Sequence, residues 1–357
     1  MGVWCQTEVA YCAGAGTRTL VWESKLNMEA AYSSVSRADI EQLLTTVAAG
    51  VAELKSGIFG PSSISWKINR ESALFLGAGR ASLLQLAHPW VAAALDQHSN
   101  LRSDPLARFH NTFRVVFTMI FGTLEQAIAA SRSLHQLHTR IQGKISEPVA
   151  CFHRGSHYQA NELDALRWVY ATLVESAVFA YESVLPTLSI AEKEAYYSES
   201  KTLAMLFGIP PSALPTDWLA FEAYNQAMWS SDTLGVNALS REMARRVLHG
   251  RGSWVPVPHW YRALTAEWMP EQLRDAFDLP HGEPERRVAA RAARWLPHLY
   301  RRIPKSIRFV GPYQEAQARL HNRSIGPVTR ASNRFWMGQS RMLFSVPDFI
   351  SAKISPR

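Results

Sequence analysis

Cysteine is scarce in this chain of 357 residues, and the scarcity excludes several kinds of site. Cys5, Cys12 and Cys151 are scattered and odd in number, so they do not form a disulfide framework or a zinc cluster. No Cys-x-x-Cys-His segment occurs either, which excludes covalent attachment of a c-type heme.

A long apolar run is also missing. The longest candidate, Ala81–Leu95, is interrupted by Gln85, His88 and Pro89 and falls short of the roughly 20 apolar residues that span a bilayer. Residues Met1–Leu20 hold polar side chains throughout and have no apolar centre, so the pattern of a secretory signal is absent. We therefore expect no transmembrane segment and a cytoplasmic location.

The charge of the chain does not favour a nucleic-acid-binding protein. The formal net charge is +8, but the 38 Lys and Arg residues are spread along the chain and interleaved with 30 Asp and Glu residues. The densest basic segment runs from Arg286 to Arg302 and is typical of a solvated helix face or the lining of a groove. Peripheral contact with an anionic membrane is the alternative for such a surface. Nothing in the sequence indicates an oligomeric state.

Helical periodicity dominates, and alternating strand patterns are scarce. The first strong helix begins at Ser36, where Ser36-x-x-Asp39 resembles a capping box. The last third of the chain is rich in proline and arginine, and we expect it to be less regular. The prediction is an all-α fold with one domain over residues 36–357, preceded by a loosely structured extension over residues 1–35.

Capping and helix-breaking residues predict further boundaries. An apolar helical segment should run from Trp66 to about Leu95, bent or broken at Pro89, and residues 144–160 should form a loop. Four other helices are expected. The first runs from Asp104-Pro105 to Phe121, and the second is opened by Thr123-x-x-Gln126 and ended by Gly143. The third is a long helix capped by Asn161, and the fourth is opened by Ser189-x-x-Glu192.

Two motifs that would indicate other chemistry are incomplete. Gly77-Ala78-Gly79-Arg80 begins like a dinucleotide fingerprint, but Ser82 occupies the third glycine position and no strand precedes it. A structural explanation fits this segment better, because small residues let two helices pack closely. Glu-x-x-His and His-Glu-x-x-His are both absent, so the di-iron bundle and zincin patterns are missing. A mononuclear nonheme iron site formed by His135 and His138 remains an alternative.

His138, near the end of its helix, is the most informative candidate residue. Arg108 and Thr112 lie one turn apart on the preceding helix. One neutral imidazole, with an arginine and a threonine on another helix, is an economical way to bind a heme iron and to support its chemistry. The ordinary alternative is a surface arginine and a threonine that bonds back to a helix carbonyl.

Seven short segments, in order along the chain, carry a family resemblance. From about Trp66 to Leu279 the chain resembles the oxygenase family of the fungal MpaB enzymes and the bacterial latex-clearing rubber oxygenases, and it is more similar to the MpaB-like branch. The segments are Arg80 to Pro89, Asp104 to Arg108 with Thr112, Phe121 to Thr123, His138 to Gly143, Tyr158 to Asn161, Trp168-Val169, and Leu206 to Pro210.

The resemblance implies an all-α fold around a non-covalent heme b and an oxygenase that uses dioxygen. His138 would be the proximal iron ligand, with His88 as the next candidate, and Arg108 and Thr112 would lie on the distal side. Rubber oxygenases have a lysine just before this threonine, where the present chain has Asn111. A carboxamide is a poor iron ligand, so we expect the sixth position of the iron to be open or to hold water.

The substrate implied by the resemblance is an apolar small molecule. In the named members the reaction is cleavage of an isoprenoid carbon–carbon double bond, and an isoprenoid or polyketide substrate is expected here. The membrane anchor of the fungal enzymes has no counterpart in the sequence. Two alternatives remain at this point: a non-catalytic helical protein that binds heme or another ligand and has kept the fold, and an electron-transfer protein, which would need a second strong axial ligand.

Overall fold

The computed structural model describes residues 34–99, 105–249 and 257–342. Within these ranges the chain is mostly helical, which confirms the all-α prediction, and no helix there is long and apolar enough to cross a bilayer. The helices are α1 (Arg37–Ala49), α2 (Ile64–Asn69), α3 (Leu74–Leu86), α4 (Pro89–His98), α5 (Pro105–Phe121), α6 (Leu124–Thr139), α7 (Leu163–Glu182), α8 (Ile190–Leu206), α9 (Trp218–Trp229), α10 (Ala238–His249), α11 (His259–Glu267), α12 (Glu271–Ala276), α13 (Glu283–Arg302), α14 (Lys305–Arg308), α15 (Gly311–Leu320) and α16 (Pro327–Met337).

Two short strands form the sheet of the described chain. They are β1 (Gln142–Lys144) and β2 (His157–Gln159), which pair antiparallel with Gly143 opposite Tyr158. The expectation of a simple loop over residues 144–160 was therefore incomplete. A side chain at Gly143 would come within 2.6 Å of the Tyr158 hydroxyl and 2.5 Å of Gln97 Oε1, so this tight ribbon requires glycine there.

The predicted capping boxes are present at three helix starts. Ser36, Thr123 and Ser189 each accept a hydrogen bond from the backbone of the residue three positions on, and Asp39, Gln126 and Glu192 reciprocate. Each box satisfies two backbone donors that the helix itself leaves unpaired. The predicted cap at Asp104 lies outside the described residues, as do residues 1–33 of the predicted extension.

The helical segment expected from Trp66 to Leu95 is broken at Pro89, as predicted, but it is also broken between α2 and α3, which was not predicted. The break between α2 and α3 contains neither glycine nor proline. Instead, Ser72 N donates to Arg308 O and Val310 N donates to Arg70 O, so the backbone there pairs with a distant segment. At the second break Pro89 is the first residue of α4, where its missing N–H costs nothing.

The last third of the chain is more regular than expected, since α13 to α16 follow one another closely. The expectation of an irregular segment rested on its proline and arginine content. Pro284, Pro312 and Pro327 lie in the first turns of α13, α15 and α16, where proline favours a helix start. Pro297 lies inside α13, which continues through it to Arg302.

Two large apolar clusters form the core and adjoin at Leu74 and Phe207, which contact both. The first surrounds α7, where the Trp168 indole donates to Leu84 O at 2.9 Å. The second lies between α5, α6 and α16 and includes Phe117 and Trp336. The candidate site lies on α5 and α6, beside this second cluster.

Close packing of α3 on α7 and α11 explains the glycines of the Gly77-Ala78-Gly79 segment and confirms their structural interpretation. A Cβ on Gly77 would lie 2.6 Å from the carbonyl oxygen of Ser176, which is backbone and cannot rotate away. The Gly79 N–H donates to the Tyr261 hydroxyl at 2.9 Å, and that hydroxyl donates to Phe75 O. Both glycines therefore allow neighbouring helices to approach.

We expect Gly77→Ala to lower the free energy of unfolding by about 1–3 kcal/mol, because the added methyl group forces α3 and α7 apart. Denaturant unfolding followed by circular dichroism measures it. Gly50→Ala is the matched control, since its Cβ would meet its nearest neighbour, Val47 O, at an ordinary 3.6 Å. Equal stability of the two variants would contradict the close approach.

A buried ion pair also joins α3 to α7. The Arg80 guanidinium donates to both carboxylate oxygens of Glu175, at 2.6 and 3.1 Å, and its Nε donates to Trp268 O at 2.8 Å. Arg80 is only 3% exposed, so the forked pair keeps a buried charge neutralised. Arg80 belongs to a motif noted in the sequence, but its partner Glu175 was not predicted.

Candidate functional site

Helix α5 presents two different sides. Phe109, Phe113 and Phe117 recur every four residues and all contact Trp336, which anchors the helix to α16. Positions 108, 111, 112 and 115 lie on another side of the same helix. The aromatic anchor thus fixes the direction in which the side chains of Arg108, Asn111 and Thr112 leave the helix.

His138 lies in the last turn of α6, as predicted. Burial, followed by the positive charges of Arg108 and His135, lowers the pKa of the His138 imidazole to about 4. The imidazole is therefore neutral at physiological pH, and a neutral ring nitrogen is the form that ligates a metal. The influence of Arg108 on this pKa means that the structure brings the two predicted residues together.

Arg108 is a guanidinium without a counter-charge in the described chain. It makes no ion pair or side-chain hydrogen bond with any described residue, and burial alone lowers its pKa. A charge in such surroundings is costly unless an anion pairs with it. The residue is therefore suited to hold a carboxylate or another anionic group of a ligand.

Arg108 and His138 are both half-buried. Burial is the largest cause of the lowered pKa at both side chains. No residue from 107 to 116 is exposed, so this part of α5 is largely screened from bulk solvent.

Asn161 is a functional candidate that sequence analysis assigned to another role. It was predicted to cap α7, but Glu162 occupies the cap position. The buried Asn161 amide instead donates to His135 O and Thr139 Oγ1, at 3.3 and 3.1 Å, in the last turn of α6. Its side chain also forms a hydrogen bond with His138 that acts to raise the imidazole pKa. Asn161 thus holds the end of α6 in place beside the His138 ring.

Thr112 and Asn111 lie where the sequence placed them, beside Arg108 on α5. The Thr112 hydroxyl donates to Arg108 O at 3.0 Å, which is the helix back-bond of the ordinary alternative. Asn111 is half-buried and has no hydrogen bond among the described residues.

His135 and His88 have different surroundings from His138. The His135 Nε2 atom lies 3.0 Å from Val35 O, so that ring ties α6 to the start of the described chain. His88 is 2% exposed, contacts the rings of Trp90 and Phe152, and has a pKa lowered by burial to about 4. Neither ring interacts directly with the His138 ring in the described part of the chain, although the charge of His135 lowers the His138 pKa.

A metal site built from several protein ligands is not found in the described ranges, because no three His, Cys, Asp or Glu side chains cluster there. A heme iron differs, since the porphyrin supplies four ligands and one protein side chain completes the attachment. A single neutral histidine beside an unpaired arginine matches that requirement.

Comparison with known proteins gives one family. The family described as "ER-bound oxygenase mpaB/B'/Rubber oxygenase, catalytic domain" matches residues 66–299, which contain Arg108, His138 and Asn161. Neither the curated proteins nor the solved structures give a match.

Proposed function

Because the chain belongs to the family of mpaB and rubber oxygenase catalytic domains, we propose that it is a heme b-dependent oxygenase and that His138 is the proximal ligand. One observation carries the proposal: a neutral imidazole lies close enough to a guanidinium without a described counter-charge for that charge to lower the imidazole pKa. The imidazole has the protonation state that iron requires, and the guanidinium has the charge that a heme propionate requires.

The surroundings of His138 fit a metal ligand. A ligating histidine usually donates its other ring N–H to a carbonyl or carboxylate, which fixes the tautomer and the plane of the ring. The Asn161 side chain offers such a partner, since its amide nitrogen already serves two acceptors on α6 and its oxygen remains for His138. Asn161 would hold the ring in position before the heme arrives.

When bound, the heme would supply an iron that activates dioxygen. Arg108 would bind a propionate or stabilise negative charge that develops on the oxidant, and Thr112 would offer one hydroxyl donor. The apolar side chains of the second core cluster would exclude water around them. The reaction we propose adds both atoms of dioxygen across an isoprenoid or polyketide double bond and yields two carbonyl groups, so it needs no external reductant.

One observation favours a second candidate, a heme-binding protein without oxygenase activity. The Thr112 hydroxyl is engaged with Arg108 O, so it must leave that carbonyl before it can act on a ligand. A protein that holds heme but does not use Thr112 would retain this bond permanently. Oxygen consumption in the presence of isoprenoid substrates distinguishes the two candidates.

Heme content tests the proposal directly. Protein expressed with sufficient iron, or reconstituted with hemin, is expected to show a Soret band and about one b-type heme per chain by pyridine hemochrome analysis. The ferric form should be high-spin, because Asn111 replaces the lysine that caps the iron in rubber oxygenases. A protein that stays colourless after reconstitution would overturn the proposal, and a low-spin ferric spectrum would favour electron transfer.

Thr112→Val tests the distal role of the hydroxyl. We expect the variant to keep its heme, because valine matches threonine in shape and the lost back-bond is local. Turnover should fall about 10²–10³-fold, the usual effect of removing one preorganised donor. Oxygen uptake with substrate, at matched heme content, measures the effect. Undiminished uptake would leave Thr112 as a helix-packing residue.

A further inference from the structure

The densest basic segment of the sequence belongs to a part of the molecule outside the candidate site. From Arg286 to Gln314 the chain contains eight Arg and Lys residues and no Asp or Glu. Helix α13 and the short helix α14 form most of this stretch. A single-sign surface of this kind attracts an anionic partner.

Helix α13 buries one narrow stripe and leaves the rest of its surface to solvent. Ala289, Ala292, Leu296 and Tyr300 are buried and pack α13 against α11. The Tyr300 hydroxyl is fixed as well, since it donates to Glu71 at 2.9 Å and accepts from the backbone N–H of Ala73 at 3.0 Å. The helix is therefore firmly held, and its outer face is a rigid surface.

The outer face combines cations with exposed apolar side chains. Trp295 and Leu299 are 39% and 53% exposed and lie one turn apart. Arg291 precedes Trp295 by four residues and Arg302 follows Leu299 by three, so the four residues form one stripe along the helix. We define these four residues as the α13 stripe. Beyond it, Ile307 on α14 is 65% exposed.

The cations of the stripe are not neutralised within the molecule. Arg291, Arg294, Arg302 and Lys305 are exposed and have no ion pair with any described residue. By contrast, Arg286 and Arg287 pair with Glu283, and Arg308 pairs with Glu71. The unpaired charges are thus the ones nearest to the exposed tryptophan and leucine.

We propose that the α13 stripe docks the protein on an anionic lipid bilayer. Arginines reach the phosphate layer while their aliphatic stems remain among apolar groups. Tryptophan prefers the same interfacial depth, and an exposed leucine gains from leaving water. A nucleic acid would use the arginines but would gain nothing from exposed Leu299 and Ile307. The combination therefore favours a membrane over a nucleic acid.

Vesicle sedimentation tests the proposal with the whole chain. The wild-type protein is expected to sediment with vesicles of phosphatidylcholine and phosphatidylglycerol, to bind phosphatidylcholine alone much more weakly, and to dissociate as salt is raised. A wild-type protein that stays in the supernatant with both vesicles would overturn the proposal. Binding of labelled duplex DNA or RNA without binding of vesicles would also overturn it.

Two pairs of substitutions separate charge from insertion. Arg291→Glu with Arg302→Glu should weaken partitioning at least about twentyfold, since each basic residue near an anionic surface contributes about fivefold. Trp295→Ser with Leu299→Ser should weaken it at least about tenfold by removing apolar area. Wild-type binding by either pair would contradict the stripe.

The control is a pair of exposed residues on helices other than α13. Arg334→Glu with Leu219→Ser changes the same residue types on α16 and α9, where Leu219 is 75% exposed, and should leave partitioning unchanged. The arginine pair removes no core contact, so it reports on binding even if loss of the Trp295–Trp260 ring contact destabilises the other variant. Circular dichroism melting checks the folding of each variant.

Discussion

His138→Ala is expected to lose its heme, while the neighbouring His135→Ala keeps it. Burial and the charge of Arg108 hold the pKa of His138 near 4, so its ring is neutral at physiological pH, the form that can bind iron. His135 already bonds to Val35 O and points its ring nitrogen at the backbone. The Soret absorbance of purified protein after hemin addition, relative to protein concentration, measures the difference.

Two additions make the His138 experiment specific. Free imidazole supplied to His138→Ala should restore part of the heme binding, because the ligand atom returns without the side chain. His135→Ala should lose only about 1 kcal/mol of stability, the usual contribution of one hydrogen bond. If His138→Ala kept its heme and His135→Ala lost it, the iron ligand would be His135, one helical turn earlier. If both retained heme, His88 would become the ligand to test.

The helix starts could be predicted from the sequence because they depend on local chemistry. Capping boxes form between residues three positions apart, and for that reason Ser36, Thr123 and Ser189 marked helix starts correctly. Arg108 and His138 were found for a different reason, since ordered segments of a family carried them. Their mutual influence and the missing counter-charge of Arg108 became visible only in three dimensions.

The features that sequence analysis missed depend on distant partners. The break after α2 comes from pairing with residues 308–310, and no residue within the break announces it. Asn161 precedes a helix and is a favoured capping residue, so a cap was the reasonable prediction. Its carboxamide serves α6 instead, because the turn between β2 and α7 brings it beside His135 and Thr139. A local pattern contains no information about that choice.

Arg108→Leu is expected to stabilise the protein without heme and to impair the protein with heme. The half-buried guanidinium has no partner among the described residues, and a charge withdrawn from water without a partner is costly. Its removal should raise the free energy of unfolding by roughly 1–3 kcal/mol, the range for a buried polar group without a partner. Denaturant unfolding of heme-free protein measures this gain.

The same substitution should weaken heme binding by about 10- to 100-fold, because a charge-assisted hydrogen bond to a propionate contributes roughly 1.5–3 kcal/mol. Turnover at saturating heme should also fall if the guanidinium acts on the oxidant. Arg108→Lys keeps the charge but loses the forked geometry, so it should fall between wild type and Arg108→Leu. Hemin titration and oxygen uptake separate the two effects.

Arg114→Leu supplies the matched control on the same helix. The Arg114 guanidinium donates to Met337 O at 3.2 and 3.0 Å, so its loss leaves a carbonyl without those donors and should destabilise the heme-free protein. Opposite signs of the two stability changes would identify Arg108 as a residue kept for a ligand at the expense of stability. If Arg108→Leu destabilised the heme-free protein as Arg114→Leu does, the guanidinium would have a structural partner, and its assignment to a heme propionate would fail.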